Sequence, residues 1–558
     1  MEMKDLMKKT IVLVLITSIC LSILTGCEIS IQSTNGTSPE RTSAGKESSD
    51  IPDSSGTTAN VPEIYETTGT TTTPPRSNPS EPVLESFVTS QGTTAAPAPN
   101  VTTSTPSETP DLVEKPASVG LKYLLSNNEK YYIVDGIGTC MDSDIVVPSI
   151  YNEKPVRTIA DQAFFYCKQL ESITLPSSVT SIGNNAFDGC SNLESVIIPN
   201  SVKSIGSACF DGCSSLTSIT LPQGLNTIDH NVFADCKNLA SITIPNTVKT
   251  IGQWAFGHCS SLTSITIPNS VTKIDYGVFS GCDGLESLVI ESGNSVYYSV
   301  GNCIIEKANK ALIAGCKNSV IPSDGSVTRI QAYAFYDIGS LENITIPSTI
   351  RKIGIGAFSL CNSLERITLP SSITSIGDEA FTGCSSLVSI EVDTGNEAYY
   401  DAGNCLIEKE SKTLIAGCQN SIIPINGSVK NIGNGAFRNC TGLESITIPE
   451  GVVSIGYGAF DSCDNLKSIA LPNSVTGIGD MAFFGCSSLM SLMIPSSVSS
   501  IGTYAFFSCN IFMRITFEET TGWVVDNIAM NSTELSNPRT AAYYLIENYC
   551  YSTWTRTD

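Results

Sequence analysis

The chain has 558 residues, and its 31 Lys and Arg against 54 Asp and Glu give a formal net charge of −23 at pH 7. A surface this acidic repels phosphate backbones, which excludes nucleic acid as a partner. The length would suggest about three or four globular domains, but an internal repeat overrides that expectation.

The N-terminus is typical of an export signal. Lysines precede an apolar stretch at 10–24, which is short for a membrane span. The stretch ends in the tetrapeptide LTGC at 24–27, which resembles the lipobox of bacterial lipoproteins. We predict that residues 1–27 are a lipoprotein signal peptide and that Cys27 is lipidated as the mature N-terminus. The alternatives are plain secretion and an uncleaved anchor.

Residues 28–117 contain almost nothing that could fold. Stretches such as TTGTTTTPPRSNPSEP at 67–82 are rich in Thr, Ser and Pro and poor in apolar residues. Such a segment cannot bury enough surface to offset its conformational entropy. We expect a disordered stalk that lifts the folded part off the cell envelope.

Thirteen copies of one 23-residue phrase dominate the rest of the chain, and each has a phenylalanine at the same place. Neighbouring phenylalanines are 23 residues apart except at two steps of 56. This fixed period predicts a solenoid at 156–517, in which each copy is one coil that cannot bury its apolar face alone. The repeat phenylalanines are Phe164, Phe187, Phe210, Phe233, Phe256, Phe279, Phe335, Phe358, Phe381, Phe437, Phe460, Phe483 and Phe506.

Each coil has a strand and a turn in its pattern. Residues 172–175 alternate outward and inward, which predicts a short β-strand, and Pro176 marks its end. Stacked copies of this strand would form one parallel sheet. Ala186 and Phe187 predict a short helical turn that places the aromatic ring in the core.

The phrase LESITLPSSVTSIGNNAFDGCSN at 170–192 resembles the BspA-like leucine-rich repeats of bacterial surface proteins. The resemblance implies a leucine-rich-repeat solenoid with an N-terminal cap at 118–155 and a C-terminal cap at 518–558. It also implies a non-catalytic protein that binds partners outside the cell.

The two long steps hold matching inserts at about 293–325 and 395–427. Each predicts a hairpin; in the first, GNCIIE and ALIAGC flank a polar turn at 307–310. The paired strands predict two cross-strand disulfides, Cys303–Cys316 and Cys405–Cys418, as candidates. An insert is either an enlarged coil that keeps the solenoid continuous or a protruding contact site.

Twelve cysteines lie three residues after a repeat phenylalanine, and Ile338 takes that place in the remaining coil. A site that accepts Ile behaves as a small buried hydrophobe, so we predict a ladder of free thiols. The two histidines, His230 and His258, have no triad partners in the repeat, and we expect them on the solvated surface. We expect no metal, no cofactor and no enzymatic activity.

The predicted function is therefore that of a lipid-anchored surface protein, with no other membrane attachment, that binds an extracellular protein or glycoprotein. Alternatives are a glycan-binding protein and a structural protein that organises the envelope. A regular Ser/Thr ladder also occurs in ice-binding solenoids, but the repeat consensus explains the same residues. The candidate ligand-binding residues are Ser172, Thr174, Ser218, Thr220, Ser241, Thr243, Ser264, Thr266, Tyr297, Tyr298, Arg366, Glu391, Tyr399, Tyr400 and Arg514.

Overall fold

A computed structural model describes residues 116–510 and 513–557 of the chain. The predicted signal peptide, Cys27 and nearly all of the predicted stalk lie outside these residues. The described residues form a β-solenoid of stacked coils, as the 23-residue period predicts.

The first strand of each coil lies on one side of the solenoid, which we call the strand face. Neighbouring face strands are parallel and in register, so that Ser218 pairs with Ser241 and Thr220 with Thr243. Their inward residues are buried, apart from half-buried ones such as Ile242, and their outward residues form the surface. The face strands are β6 (Ser172–Thr174), β8 (Ser195–Ile197), β10 (Ser218–Thr220), β12 (Ser241–Thr243), β14 (Ser264–Ile267), β16 (Ser287–Ile290), β22 (Arg366–Leu369), β24 (Ser389–Val392), β29 (Ser445–Thr447), β31 (Ser468–Ala470), β33 (Ser491–Ile494) and β35 (Arg514–Phe517).

A second ladder of shorter parallel strands, which the sequence analysis missed, follows the corner of each coil. Its inward residue is the isoleucine that recurs in every copy, as in the pair Ile228 and Ile251. These strands are β7 (Ser181–Ile182), β9 (Ser204–Ile205), β11 (Thr227–Ile228), β13 (Thr250–Ile251), β15 (Lys273–Ile274), β20 (Arg329–Ile330), β21 (Lys352–Ile353), β23 (Ser375–Ile376), β28 (Asn431–Ile432), β30 (Ser454–Ile455), β32 (Gly477–Ile478) and β34 (Ser500–Ile501).

The third side of each coil, which we call the turn side, is not helical, so the predicted helical turn is wrong. The backbone N–H of Phe187 donates to the carbonyl of Cys209 in the next coil at 2.8 Å, and that of Asn185 donates to Ser207 at 2.9 Å. Asn185 and Gly189 have φ of 53° and 72°, so their left-handed backbone turns these N–H groups out of the coil. Bonds to the next coil therefore alternate with turn bonds inside the coil, such as that from the Cys190 N–H to the Phe187 carbonyl at 3.1 Å, and no helix forms.

The two inserts form three-stranded antiparallel sheets, which confirms the predicted hairpins and adds one strand before each. The strands are β17 (Tyr297–Val300), β18 (Cys303–Glu306), β19 (Ala311–Ala314), β25 (Tyr399–Ala402), β26 (Cys405–Glu408) and β27 (Thr413–Ala416). Strands β19 and β27 continue as parallel partners of β20 and β28. Each insert is therefore an enlarged coil.

The insert hairpins divide the apolar core. Among the described residues, the buried apolar side chains form three clusters that span 121–316, 303–418 and 405–554. Ile304 and Ala311 belong to the first cluster, whereas Cys303, Ile305 and Leu312, from the same hairpin, belong to the second. Because the hairpin is buried on both faces, it separates two parts of the core and does not protrude. The alternative prediction of a protruding contact site is therefore wrong.

The strand face is interrupted after the first insert. The coil at 341–347 forms no strand, although its sequence matches the repeat. The expected single sheet is instead a series of sheets of two or three strands, and it is interrupted between ordinary coils, as between β12 and β14, as well as at the inserts.

Both ends of the solenoid carry additional elements. The N-terminal strands are β1 (Lys122–Leu125), β2 (Tyr132–Gly136), β3 (Asp144–Val146), β4 (Ile150–Tyr151) and β5 (Lys154–Ile159). The C-terminal elements are β36 (Trp523–Val525), β37 (Ile528–Ala529), α1 (Ser532–Leu535), α2 (Pro538–Tyr543), a π-helical turn (Tyr544–Asn548) and β38 (Trp554–Arg556). Strand β38 pairs with β34 and so covers the edge of the last short strand.

Candidate functional site

The outward residues of the strand face form rows of hydroxyl groups. Ser218, Thr220, Ser241 and Thr243 are exposed, and the parallel register places like residues side by side. Ser264 and Thr266 continue the rows. Because the strands are held by backbone hydrogen bonds and by the core behind them, these rows form a fixed polar surface.

The ends of this surface are less uniform. Ser172 and Thr174 are half-buried, and the Ser172 hydroxyl donates to Asp144 Oδ1 at 2.6 Å. Glu391 is exposed and accepts a hydrogen bond from the Ser389 hydroxyl at 3.2 Å.

Three apolar side chains also lie on the strand face, and the sequence analysis missed them. Ile197, Val289 and Met493 are 62%, 42% and 55% exposed. They occupy the second outward position of their strands, where other coils have Thr. A comparison of that position among the copies would have found them.

Two arginines of the strand face lie in different surroundings. Arg366 lines a shallow cleft of about 280 Å³ together with Asp393. Arg514 lines an open cleft of about 510 Å³ together with Arg539. The two arginines share a repeat position and the tripeptide Arg-Ile-Thr, so only the neighbouring segments distinguish them.

Two of the four insert tyrosines, Tyr297 and Tyr399, are buried, which corrects their prediction as ligand contacts. Tyr297 and Tyr399 are 5% and 2% exposed. Their hydroxyls accept the backbone N–H of Ile274 at 3.0 Å and of Ile376 at 2.9 Å. Each tyrosine lies 23 residues after the isoleucine whose N–H it accepts, so it occupies the repeat position of the recurrent isoleucine. This offset, which is visible in the sequence, indicates an inward position. Tyr298 and Tyr400 are half-buried against the core.

Replacing Tyr297 by Phe should lower the free energy of unfolding by about 1–3 kcal/mol, because the Ile274 N–H would remain buried without an acceptor. The matched control is Tyr298→Phe, whose hydroxyl lies 3.5 Å from the Ser326 carbonyl and is partly exposed. Urea denaturation of both variants measures the difference. Equal losses of unfolding free energy in the two variants would contradict the role of the Tyr297 hydroxyl as the acceptor for the Ile274 N–H.

The insert cysteines are free thiols, so the two predicted disulfides are absent from this structure. A β-bulge between Ile304 and Ile305 shifts the register of the hairpin next to Cys303. The Cys303 thiol donates to the Gly301 carbonyl at 3.4 Å, and the Ser319 hydroxyl lies 3.9 Å from the Cys316 sulfur. Cys405 and Cys418 repeat this arrangement.

The cysteines of the repeat are buried and free, as predicted, and they also form hydrogen bonds. The Cys236 thiol donates to the carbonyl of Phe210 at 3.1 Å, and the Cys259 thiol donates to that of Phe233 at 3.1 Å. Burial raises the pKa of the Cys190 thiol to about 12. A thiol that stays protonated is a poor nucleophile, which fits a role of these cysteines in packing and in hydrogen bonds between coils.

The turn side carries a row of carboxylates on successive coils, Asp188, Asp211 and Asp235. Burial, together with the charges of its two neighbours, raises the pKa of Asp211 to about 7. Ionisation of these carboxylates therefore lowers the stability of the folded state, because their charges are partly buried and repel each other.

Asp211→Asn should raise the free energy of unfolding by about 4 kcal/mol at pH 8 and leave it nearly unchanged at pH 4. An unfolded Asp has a pKa of about 3.9, so between pH 4 and 7 the folded wild type binds a proton that the unfolded chain lacks. Its stability therefore falls as the pH rises through this range. Urea denaturation across pH 4–8 measures it, with the exposed Glu342→Gln as control, and a pH-independent gain would contradict this assignment.

An aromatic cluster joins the coils on either side of the first insert. The ring of Trp254 lies 5.2 Å from that of Tyr336, and Tyr276 lies 5.5 Å from Tyr333. Beside it, His258 Nδ1 lies 3.3 Å from Asp337 Oδ2. His258 is thus a contact between coils, although its side chain is 44% exposed, and His230 is exposed.

Within the described ranges, no group of three or more His, Cys, Asp or Glu side chains could hold a metal ion. The same ranges contain no helix that is long and apolar enough to span a membrane.

The repeat geometry agrees with a known family. The family described as "BspA type Leucine rich repeat region (6 copies)" matches residues 143–259, 226–300, 306–403 and 411–536, which is more than half of the chain. The chain belongs to this family. The BspA-type match includes both inserts in large part, which agrees with their place in the stacked coils.

Solved structures with a similar fold come from several bacteria. A leucine-rich cell surface protein of Faecalibacterium prausnitzii is 26% identical, with a TM-score of 0.42, over 68% of this chain and 95% of that one. A leucine-rich repeat protein of Eubacterium ventriosum is 22% identical, with a TM-score of 0.40, over 70% and 94%. One of Bacteroides ovatus is 22% identical, with a TM-score of 0.31, over 73% and 100%. No curated protein matches the chain.

Proposed function

We propose that this BspA-type protein is a non-catalytic binding protein of the cell surface, and that its strand face contacts an extracellular protein or glycoprotein. The observation that supports this most is the set of exposed hydroxyl rows on rigid, in-register strands. Such a surface suits many moderate polar contacts rather than one deep pocket.

Discrimination between partners is assigned to the residues that interrupt the hydroxyl rows. These are the charged Arg366, Glu391 and Arg514 and the apolar Ile197 and Met493, all exposed. Irregular charges and apolar groups distinguish one partner from another, which identical hydroxyls do not. The strands of the insert hairpins are left out of this surface because their side chains are mostly buried.

The binding surface is tested with residues 28–558 against immobilised matrix proteins, mucin and polysaccharides. We expect binding to at least one glycoprotein or matrix protein, and loss of it in the double variant Thr243→Lys, Thr266→Lys. The control is Asn246→Lys, an exposed residue of the corner that follows β12. The proposal is overturned if nothing in the panel binds, or if the control loses binding equally.

We also propose that acyl chains on Cys27 are the only membrane attachment of the mature protein. Cys27→Ala should then leave the chain unprocessed or release it from the membrane fraction of labelled cells. Mature mutant protein that remains in the membrane fraction would exclude this anchor.

A further inference from the structure

The strand face ends against a basic cleft. Its last strand, β35, packs against α2. Arg514 of β35 and Arg539 of α2 are both exposed and line one open cleft, with Thr533, Ser536 and Asn537 completing its wall. This cleft places two positive charges together on a chain whose net charge is −23.

A carboxylate, Glu547, lines a second cleft beside Arg539, but no carboxylate of the described residues forms an ion pair with either guanidinium group. Within the described ranges, neither forms an ion pair at 4.0 Å or less. The nearby carboxylate of Glu534 accepts the Tyr544 hydroxyl at 2.8 Å and does not line the cleft. The positive charges are therefore available to a ligand.

Neutral hydrogen-bonding groups accompany them. The Asn537 Oδ1 atom accepts the backbone N–H of Arg539 at 3.0 Å and that of Thr540 at 3.3 Å, which leaves its NH₂ group as a donor. The Ser536 hydroxyl donates to the Thr533 carbonyl at 2.7 Å and keeps its lone pairs as acceptors. Donors and acceptors thus stand beside the charges, as a ligand with hydroxyl groups requires.

An exposed aromatic ring adjoins the same arginine. Arg539 also lines a second cleft of about 460 Å³ with Tyr543 and Glu547. Tyr543 is 55% exposed, so its ring offers an apolar surface next to the charged cleft.

Arg366 shows that the strand position alone does not create such a site. It has the same repeat position and the same Arg-Ile-Thr tripeptide as Arg514. Its cleft, however, includes the carboxylate of Asp393 in place of a second arginine.

We propose that the cleft of Arg514 and Arg539 binds an acidic sugar, that is, a uronic or sialic acid unit of a glycan. The planar guanidinium groups fit the carboxylate, the Thr533, Ser536 and Asn537 side chains bond to sugar hydroxyls, and Tyr543 covers the apolar ring face. The net charge of −23 repels dense polyanions, so the ligand carries isolated acidic units. This inference rests on the proposed binding function and names a ligand class for it.

The test uses residues 28–558 with sialyllactose and a glucuronic acid disaccharide as probes, and lactose as the neutral counterpart. Calorimetric titration should show binding of at least one acidic probe and not of lactose. Arg514→Gln and Arg539→Gln should each raise its Kd by about tenfold or more, the equivalent of one lost charge-assisted hydrogen bond. Arg157→Gln, at an exposed arginine outside the strand face, is the matched control and should leave the Kd unchanged.

Each other outcome overturns the inference. Lactose binding as tightly as the acidic probes excludes recognition of the carboxylate, and an equal effect of Arg157→Gln excludes this cleft. If neither acidic probe binds while the Thr243→Lys, Thr266→Lys variant still loses its partner in the binding panel, this inference fails and the proposed function stands. All three arginines are exposed, so the variants should keep the melting temperature of the wild type, which circular dichroism checks.

Discussion

Phe256→Ala should lower the free energy of unfolding by about 3–5 kcal/mol, one of the largest effects of any single substitution in this chain. The Phe256 ring is 0% exposed and stacks between two other rings, 5.6 Å from Phe233 and 5.8 Å from Phe279. Its removal leaves a cavity that touches three coils, because the repeat has no second side chain that could fill it. Urea denaturation followed by circular dichroism measures the loss.

Phe165→Ala is the matched control for this prediction. Phe165 follows the repeat position Phe164 but is 44% exposed, and it contacts the Tyr166 ring at 4.6 Å. We expect a loss of less than about 1 kcal/mol there. A comparable loss in both variants would mean that the stacked rings do not carry the stability of the coils.

Gly315→Ala should destabilise the protein by about 3 kcal/mol, the upper end of the usual range for overpacking a core. A Cβ atom at Gly315 would lie 2.0 Å from the Phe335 Cε1 atom, and Phe335 is 0% exposed. The ring cannot move away, because it packs against Phe358 at 5.1 Å on its other side. Gly417 has the same relation to Phe437, also at 2.0 Å, so Gly417→Ala should repeat the effect.

Two further variants separate this clash from a general intolerance of glycine replacement. Gly477→Ala should change the free energy of unfolding by less than about 0.5 kcal/mol, because its nearest neighbour is the flexible Ser500 hydroxyl at 3.2 Å. The double variant Gly315→Ala, Phe335→Leu should be less destabilised than the sum of its single variants. Additive losses would contradict the proposed contact.

Much of the ordinary coil was predictable because its partners recur at a constant offset. Ile228 pairs with Ile251, and the Phe233 ring packs on Phe256, each 23 residues away. Comparing the copies therefore identified the inward residues and the strand face. The turn side was mistaken for a helical turn because its bonds run to the next coil, and no local pattern distinguishes the two arrangements.

The sequence by itself determined the solenoid, its inward residues and the free thiols of the repeat, because these follow from a period that repeats the same neighbours. Only the tertiary structure decided what happens where the period breaks. In the folded chain the insert hairpins are buried on both faces, and the Tyr297 hydroxyl accepts the Ile274 N–H. The tertiary structure also placed Arg539 beside Arg514 but Asp393 beside Arg366, although the arginines occupy the same repeat position. These contacts join segments at irregular separations, so the repeat carries no information about them.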